Sequence, residues 1–155
     1  MSEPIAGPAA EVAEPGLELA ERVAAAMWAA DAASAGLGMR LADVGPGYAK
    51  LEMKVRDDMV NGHGIAHGGL VFTLADSAFA FACNSRNVST VAQGCDIVFV
   101  APARRGDLLV AEAAERASYG RNGIYDVTVR CGEQLIAEFR GRSRQIGGTI
   151  VEEHA

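Results

Sequence analysis

The chain has 155 residues, 50% of them hydrophobic and 22% charged, which is the composition of one globular domain with a real core. Its formal net charge of −6 argues against a nucleic-acid partner, since phosphate binding calls for a basic face. Three widely spaced cysteines, Cys83, Cys95 and Cys131, contain no Cys-x-x-Cys pair, so they suggest neither a disulfide framework nor a zinc site and fit a reducing compartment.

Residues 1–16, MSEPIAGPAAEVAEPG, mix Ala, Pro and Glu without periodicity and are expected to form a flexible tail without chemistry. They lack the basic residues and hydrophobic run of a secretory signal, and no later run is long enough for a membrane span, so a cytoplasmic protein is expected. From Leu17, strong helix formers carry Leu19, Val23, Met27 and Trp28 at helical spacing, and Gly36 and Gly38 close the segment. This predicts one helix with an apolar face.

The period then changes. Between Met39 and Arg56, Tyr48, Lys50, Glu52 and Lys54 alternate with Ala49, Leu51, Met53 and Val55 after a Gly-Pro-Gly turn, which predicts a hairpin of two half-buried strands. Four longer strands are predicted at 88–100, 107–119, 123–131 and 134–146, with short turns between them. Short turns make successive strands antiparallel. The fold class is therefore α+β, an antiparallel sheet curled around one central helix, in a single domain over 17–150 followed by a short tail at 151–155.

That central helix comes from Asn61 to Asn84, NGHGIAHGGLVFTLADSAFAFACN, a Gly- and His-rich turn leading into an apolar run broken by only Thr73, Asp76 and Ser77. Asp76 sits two turns inside the run, with Phe72, Thr73, Phe79 and Ala80 one turn away, where a carboxylate is partly desolvated and more reactive as base or nucleophile. The alternative is an acid that faces solvent or is satisfied in the core. Gly68 to Leu70 supply the first unpaired N–H groups of the helix, which suit a carbonyl oxygen that becomes negative during reaction; a plain turn and helix start is the other reading. Asn61 and His67 either line such a site or serve the turn, and His63 belongs to the turn. No third ligand lies near His63 and His67, so no metal site is expected. Ser77 has no His or Asp partners for a triad, and Cys83 lacks a base to make a thiolate.

Spacing adds a constraint. Gly68 and Asp76 are eight residues apart, about 12 Å along one helix, too far for one carbonyl to touch both. If both serve one reaction, two antiparallel copies of the helix related by a twofold axis place Gly68 of one subunit against Asp76 of the other.

The residues also carry a family resemblance. Asn61-Gly-His-Gly, His67-Gly-Gly and the run from Leu74 to Asn84, followed by Asp96-Ile-Val-Phe, Pro102, Gly106-Asp107, Gly123-Ile-Tyr-Asp, Phe139-Arg-Gly and Arg144-Gln-Ile-Gly-Gly-Thr-Ile, resemble the hotdog-fold acyl-CoA thioesterases of the PaaI group over roughly residues 20–150. The resemblance implies a dimer with two interface sites and commonly a homotetramer. It implies Asp76 as catalytic carboxylate, Gly68 N–H polarising the thioester carbonyl, and Asn61 and His67 lining the site. It implies no cofactor beyond the CoA of the substrate, whose phosphates Arg104, Arg105 and Arg121 would meet by loop position. Phenylacetyl-CoA or a ring-hydroxylated relative is the expected substrate, in phenylacetate degradation. Two other classes remain open: a hotdog hydratase or dehydratase pairing His67 with Asp76, and a non-catalytic acyl-CoA binding module, which needs no buried acid.

Overall fold

The structure is a computed structural model and describes residues 14–153. Most of the expected N-terminal tail and the last two residues lie outside that range. Two helices open the described chain, α1 (Glu14–Ala30) and α2 (Ala32–Gly36), where the sequence predicts one. The break falls at Asp31, whose carboxylate accepts the Ser34 N–H at 2.9 Å and the Ser34 hydroxyl at 2.6 Å. A side chain that caps the next helix competes with continuation of the first.

β1 (Arg40–Gly45) and β2 (Tyr48–Lys54) form the predicted hairpin, and α3 (Gly68–Asn84) is the central helix. β3 (Thr90–Phe99), β4 (Leu108–Tyr119), β5 (Asn122–Cys131) and β6 (Gln134–Gln145) complete the set. All six strands join one antiparallel sheet in the order β1-β2-β4-β5-β6-β3. The Ala- and Glu-rich 108–119 segment is a strand because β2 pairs with it on one side and β5 on the other, and its alanines 111 and 113 fit closely beneath α3.

Strand alternation puts Leu51, Met53, Leu109, Val127, Val129 and Phe139 on the inner face, fully buried against Val71, Leu74, Ala75, Ala78 and Phe79 of α3. The outer face carries cross-strand ion pairs instead, such as Arg140 to Asp126 at 2.7 and 2.9 Å and Arg142 to Asp96 at 3.0 Å. That face belongs in water. Asn87 ties the C-terminal segment back onto the α3–β3 turn, its Oδ1 accepting from Ile150 and Val151 N–H, both at 2.9 Å.

Gly141 of β6 leaves room for the Phe79 ring of α3. A Cβ there would lie 2.7 Å from the Phe79 ring, which is 1% exposed and cannot swing away. Gly141→Ala should therefore cost about 1–3 kcal/mol in urea unfolding, as overpacked cores do.

Candidate active site

His67 ends the turn and caps α3, its Nδ1 accepting the Gly69 N–H at 2.9 Å. Leu70 and Val71 N–H both go to the His67 carbonyl, at 2.9 and 3.2 Å. Gly68 N–H has no partner among the described residues, so one free donor remains at the positive end of the helix. The missing side chain matters here, because a Cβ on Gly68 would stand 3.0 Å from the ring of Phe99.

That donor opens on an apolar pocket of about 450 Å3, walled by Asn61, Ile65, Val71, Phe99, Pro102 and Ile136 among others. Asn61 serves the turn and also borders the pocket. Its Oδ1 accepts from His63 N–H at 2.9 Å and Ile65 N–H at 3.4 Å, which is turn chemistry, while the residue lines the pocket with its Nδ2 unengaged among the described residues. His67, by contrast, is exposed, is not a pocket residue, and has Nδ1 committed to the cap.

Asp76 is half-buried on the α3 face turned towards β3, and no described side chain pairs or hydrogen-bonds with it. Burial alone pushes its carboxyl above the ordinary aspartate range. Ser77 beside it is engaged: its hydroxyl lies 2.8 Å from Ser34 Oγ, and since Ser34 gives its single proton to Asp31, Ser77 is the donor. The Asp31–Ser34–Ser77 chain ties α2 to α3 next to Asp76 and so fixes the helix rotation that presents the carboxylate. Thr73, one turn before Asp76, donates to the Gly69 carbonyl at 2.7 Å.

Several contributors are not legible in the sequence pattern. Cys95 of β3 stands close enough for the Asp76 charge to add to the burial that raises its thiol. Cys83, two turns along from Asp76, is pushed up to about 12, chiefly by burial, and is no nucleophile. Ile136 reaches the pocket through a bulge: β5 residues Val129 and Arg130 pair with Ala137 and Leu135, leaving Ile136 as the extra residue, turned inward and 1% exposed. Its carbonyl accepts from Val100 at 2.8 Å and Ala101 at 3.2 Å, holding the β3 extension that walls the pocket.

The three loop arginines do not gather at one place in the chain. Arg104 bridges to Ile65 beside the pocket, and Arg105 pairs with Asp57 at 3.0 Å. Arg121 lies in the β4–β5 turn, at the far end of the 12-residue strand β4.

The Thioesterase superfamily profile matches residues 63–138, which include the start of α3, Asp76 and the pocket wall. The chain is 43% identical over 129 residues to acyl-coenzyme A thioesterase PaaI of Escherichia coli, a match that covers 83% of this chain and 92% of that protein. It belongs to the thioesterase superfamily. Within it the chain is a hotdog-fold thioester hydrolase of the PaaI group. The thioesterase superposes on the solved E. coli PaaI protein with a TM-score of 0.85 at 40% identity, covering 86% of this chain and 98% of that one. The TT0310 protein of Thermus thermophilus follows at 0.71 and 36%, covering 73% and 96%. Human acyl-coenzyme A thioesterase 13 is 36% identical over 105 residues, 64% of this chain and 74% of that protein.

The thioesterase holds the Asp76 proton more tightly folded than unfolded, so stability attributable to this group is lost as pH rises through the ordinary carboxylate range and up to the raised folded value. Asp76→Asn should accordingly melt at a higher temperature than the parent at neutral pH, with the difference vanishing below the ordinary aspartate range. Thermal unfolding of both proteins across pH measures this.

Proposed function

We propose that this protein hydrolyses phenylacetyl-CoA or ring-hydroxylated phenylacetyl-CoA to free acid and CoA, in phenylacetate degradation, with Asp76 as general base or nucleophile. The observation that carries the reading is a half-buried carboxylate with no partner among the described residues, on the same helix as an N–H at Gly68 that none of them accepts. The identity to PaaI of E. coli supports the aryl-CoA substrate class. Asp76 activates water or attacks the thioester carbon; the Gly68 N–H stabilises the oxyanion, and the thiolate of CoA leaves. Asn61 lines the pantetheine pocket with its free amide, His67 holds Gly69 and the first turn in place, and Arg104, Arg105 and Arg121 receive the phosphates. The protein works in the cytoplasm.

Both sites are completed by a second copy. β3 is a sheet edge of ten residues with an unpaired ladder, and Val91, Val98, Phe99 and Val100 on or next to it are 45–61% exposed. Two β3 strands pairing antiparallel about a twofold axis cover it. The register follows from the site. Gly68 lies under Phe99, while Cys95 neighbours Asp76 and sits opposite Gly141, which contacts Phe79 one turn further on. For Gly68 to face the partner's Asp76, Phe99 must lie opposite the partner's Cys95, which puts the axis through Ile97. Two such dimers then associate into a homotetramer.

Asp76→Ala should lower thiol release from phenylacetyl-CoA by roughly 10^2- to 10^4-fold while the protein stays dimeric by light scattering; near-normal turnover removes Asp76 from the mechanism. The ionised carboxylate is the working form, so turnover should fall on the acid side at a pH above the ordinary aspartate range. For the register, Ile97→Cys should give a disulfide-linked dimer on mild oxidation, because paired residues on an antiparallel axis have Cα atoms about 5 Å apart. An active monomer, or no crosslink, refutes the shared site.

A further inference from the structure

Phe99 faces the helix side of the sheet and is nonetheless 53% exposed. Its register partner Ala137 is fully buried, and Ile97, two residues back, pairs with the buried Phe139, so strand alternation turns all of them the same way. The ring lies over Gly68, the first residue of α3. A Cβ at that glycine would stand 3.0 Å from Cζ of the ring and 3.4 Å from each Cε. The tip of the ring therefore takes the space that a side chain at position 68 would fill.

That contact is held from both sides. Val100 and Ala101 N–H share the Ile136 carbonyl, which fixes the strand end that carries Phe99, and Ala66 N–H donates to the Ala103 carbonyl at 2.8 Å, which ties the turn before Gly68 to the same segment. A helical Cα–Cβ bond tilts towards the N-terminus, the end to which the free N–H groups also point. The ring tip on the Cβ side of Gly68 consequently stands beside a donor that has no acceptor among the described residues. Phe99 and Gly68 line the same apolar pocket of about 450 Å3.

We propose that Phe99 is a further residue of the hydrolytic site, its ring shielding from water the Gly68 N–H and the thioester oxygen that this donor receives. The proposal rests on the hydrolase reading and needs no particular dimer register, because Phe99 and Gly68 belong to one chain. A hydrogen bond to a developing oxyanion gains strength where water is excluded, since a low local dielectric screens it less. The ring edge is also the positive part of its quadrupole, so a tip beside Gly68 favours negative charge on the oxygen. Shielding of this kind acts on the transition state more than on the bound thioester, and is read in kcat rather than KM.

Phe99→Ala should lower kcat for phenylacetyl-CoA roughly tenfold, a fraction of the loss that follows removal of an oxyanion donor, with KM within about twofold of the parent. Phe99→Tyr is the discriminating variant. It adds an oxygen to Cζ, the ring atom nearest Gly68, and should also lower kcat roughly tenfold. A ring that merely packs at a 53% exposed position would accept the hydroxyl and keep parental turnover. Light scattering checks that both variants assemble as the parent does, and Phe99→Tyr, which keeps the ring, decides the question if Phe99→Ala does not assemble. Amide hydrogen exchange followed by NMR needs no substrate, so it tests the shield even in a protein that hydrolyses no thioester. In Phe99→Ala the Gly68 N–H should exchange roughly tenfold faster, while Leu70 and Val71, bonded to the His67 carbonyl, keep the parental rate. Parental kcat in Phe99→Tyr, a loss confined to KM, or unchanged Gly68 exchange would each overturn the assignment.

Discussion

Asp76 is the position around which the molecule is arranged. An aspartate on an apolar helix, half out of water and without a partner among the described residues, is expensive to ionise. The surroundings keep it there. Phe79 packs against Gly141 on one side of α3, and the Ser77–Ser34–Asp31 chain ties the helix to α2 on another, so the helix that carries Asp76 is held in place. Stability is surrendered at one residue and recovered in the core packing around it.

The second constraint is the free edge of the sheet. A β-sheet that curls around one helix must leave two edges, and here β1 is backed by α1 while β3 carries exposed valines and a phenylalanine along an unpaired ladder. In the proposed dimer, pairing two copies of β3 would remove that edge, bury those side chains and set each Gly68 donor against the other copy's Asp76, which lies about 12 Å along its helix from that copy's own Gly68. On that proposal, one contact between two copies of one strand would set oligomer, register and site together.

Much of the fold was readable because its signals are local. Period-two alternation marked β2, β5 and β6, the Gly-Pro-Gly turn marked the first hairpin, and the long apolar run marked α3. The break at Asp31 was not read, because a capping aspartate in an Ala-rich segment looks like any exposed helical acid until its contact with Ser34 is visible. At the site, Asp76 stands out by being polar in an apolar run, and the eight-residue spacing to Gly68 raises the expectation of two subunits if both serve one reaction. Ile136 and Phe99 did not stand out. Their place in the pocket depends on a β-bulge and on which face of an edge strand looks inward, and neither leaves a mark in residue type.

His67 illustrates how one residue resolves between readings. As the helix cap it spends Nδ1 on the Gly69 N–H, and this is what leaves Gly68, rather than Gly69, with the free donor. A histidine acting as the acid or base of a hydratase would need a ring nitrogen aimed at the reacting carbon, while this one is exposed, capped and outside the pocket lining. The side chain holds the first turn of α3 through the Gly69 N–H. The functional logic of the turn is thus subtraction: the first helical N–H groups are satisfied one after another by His67, and the single group left over is the one that has no side chain to obstruct a carbonyl.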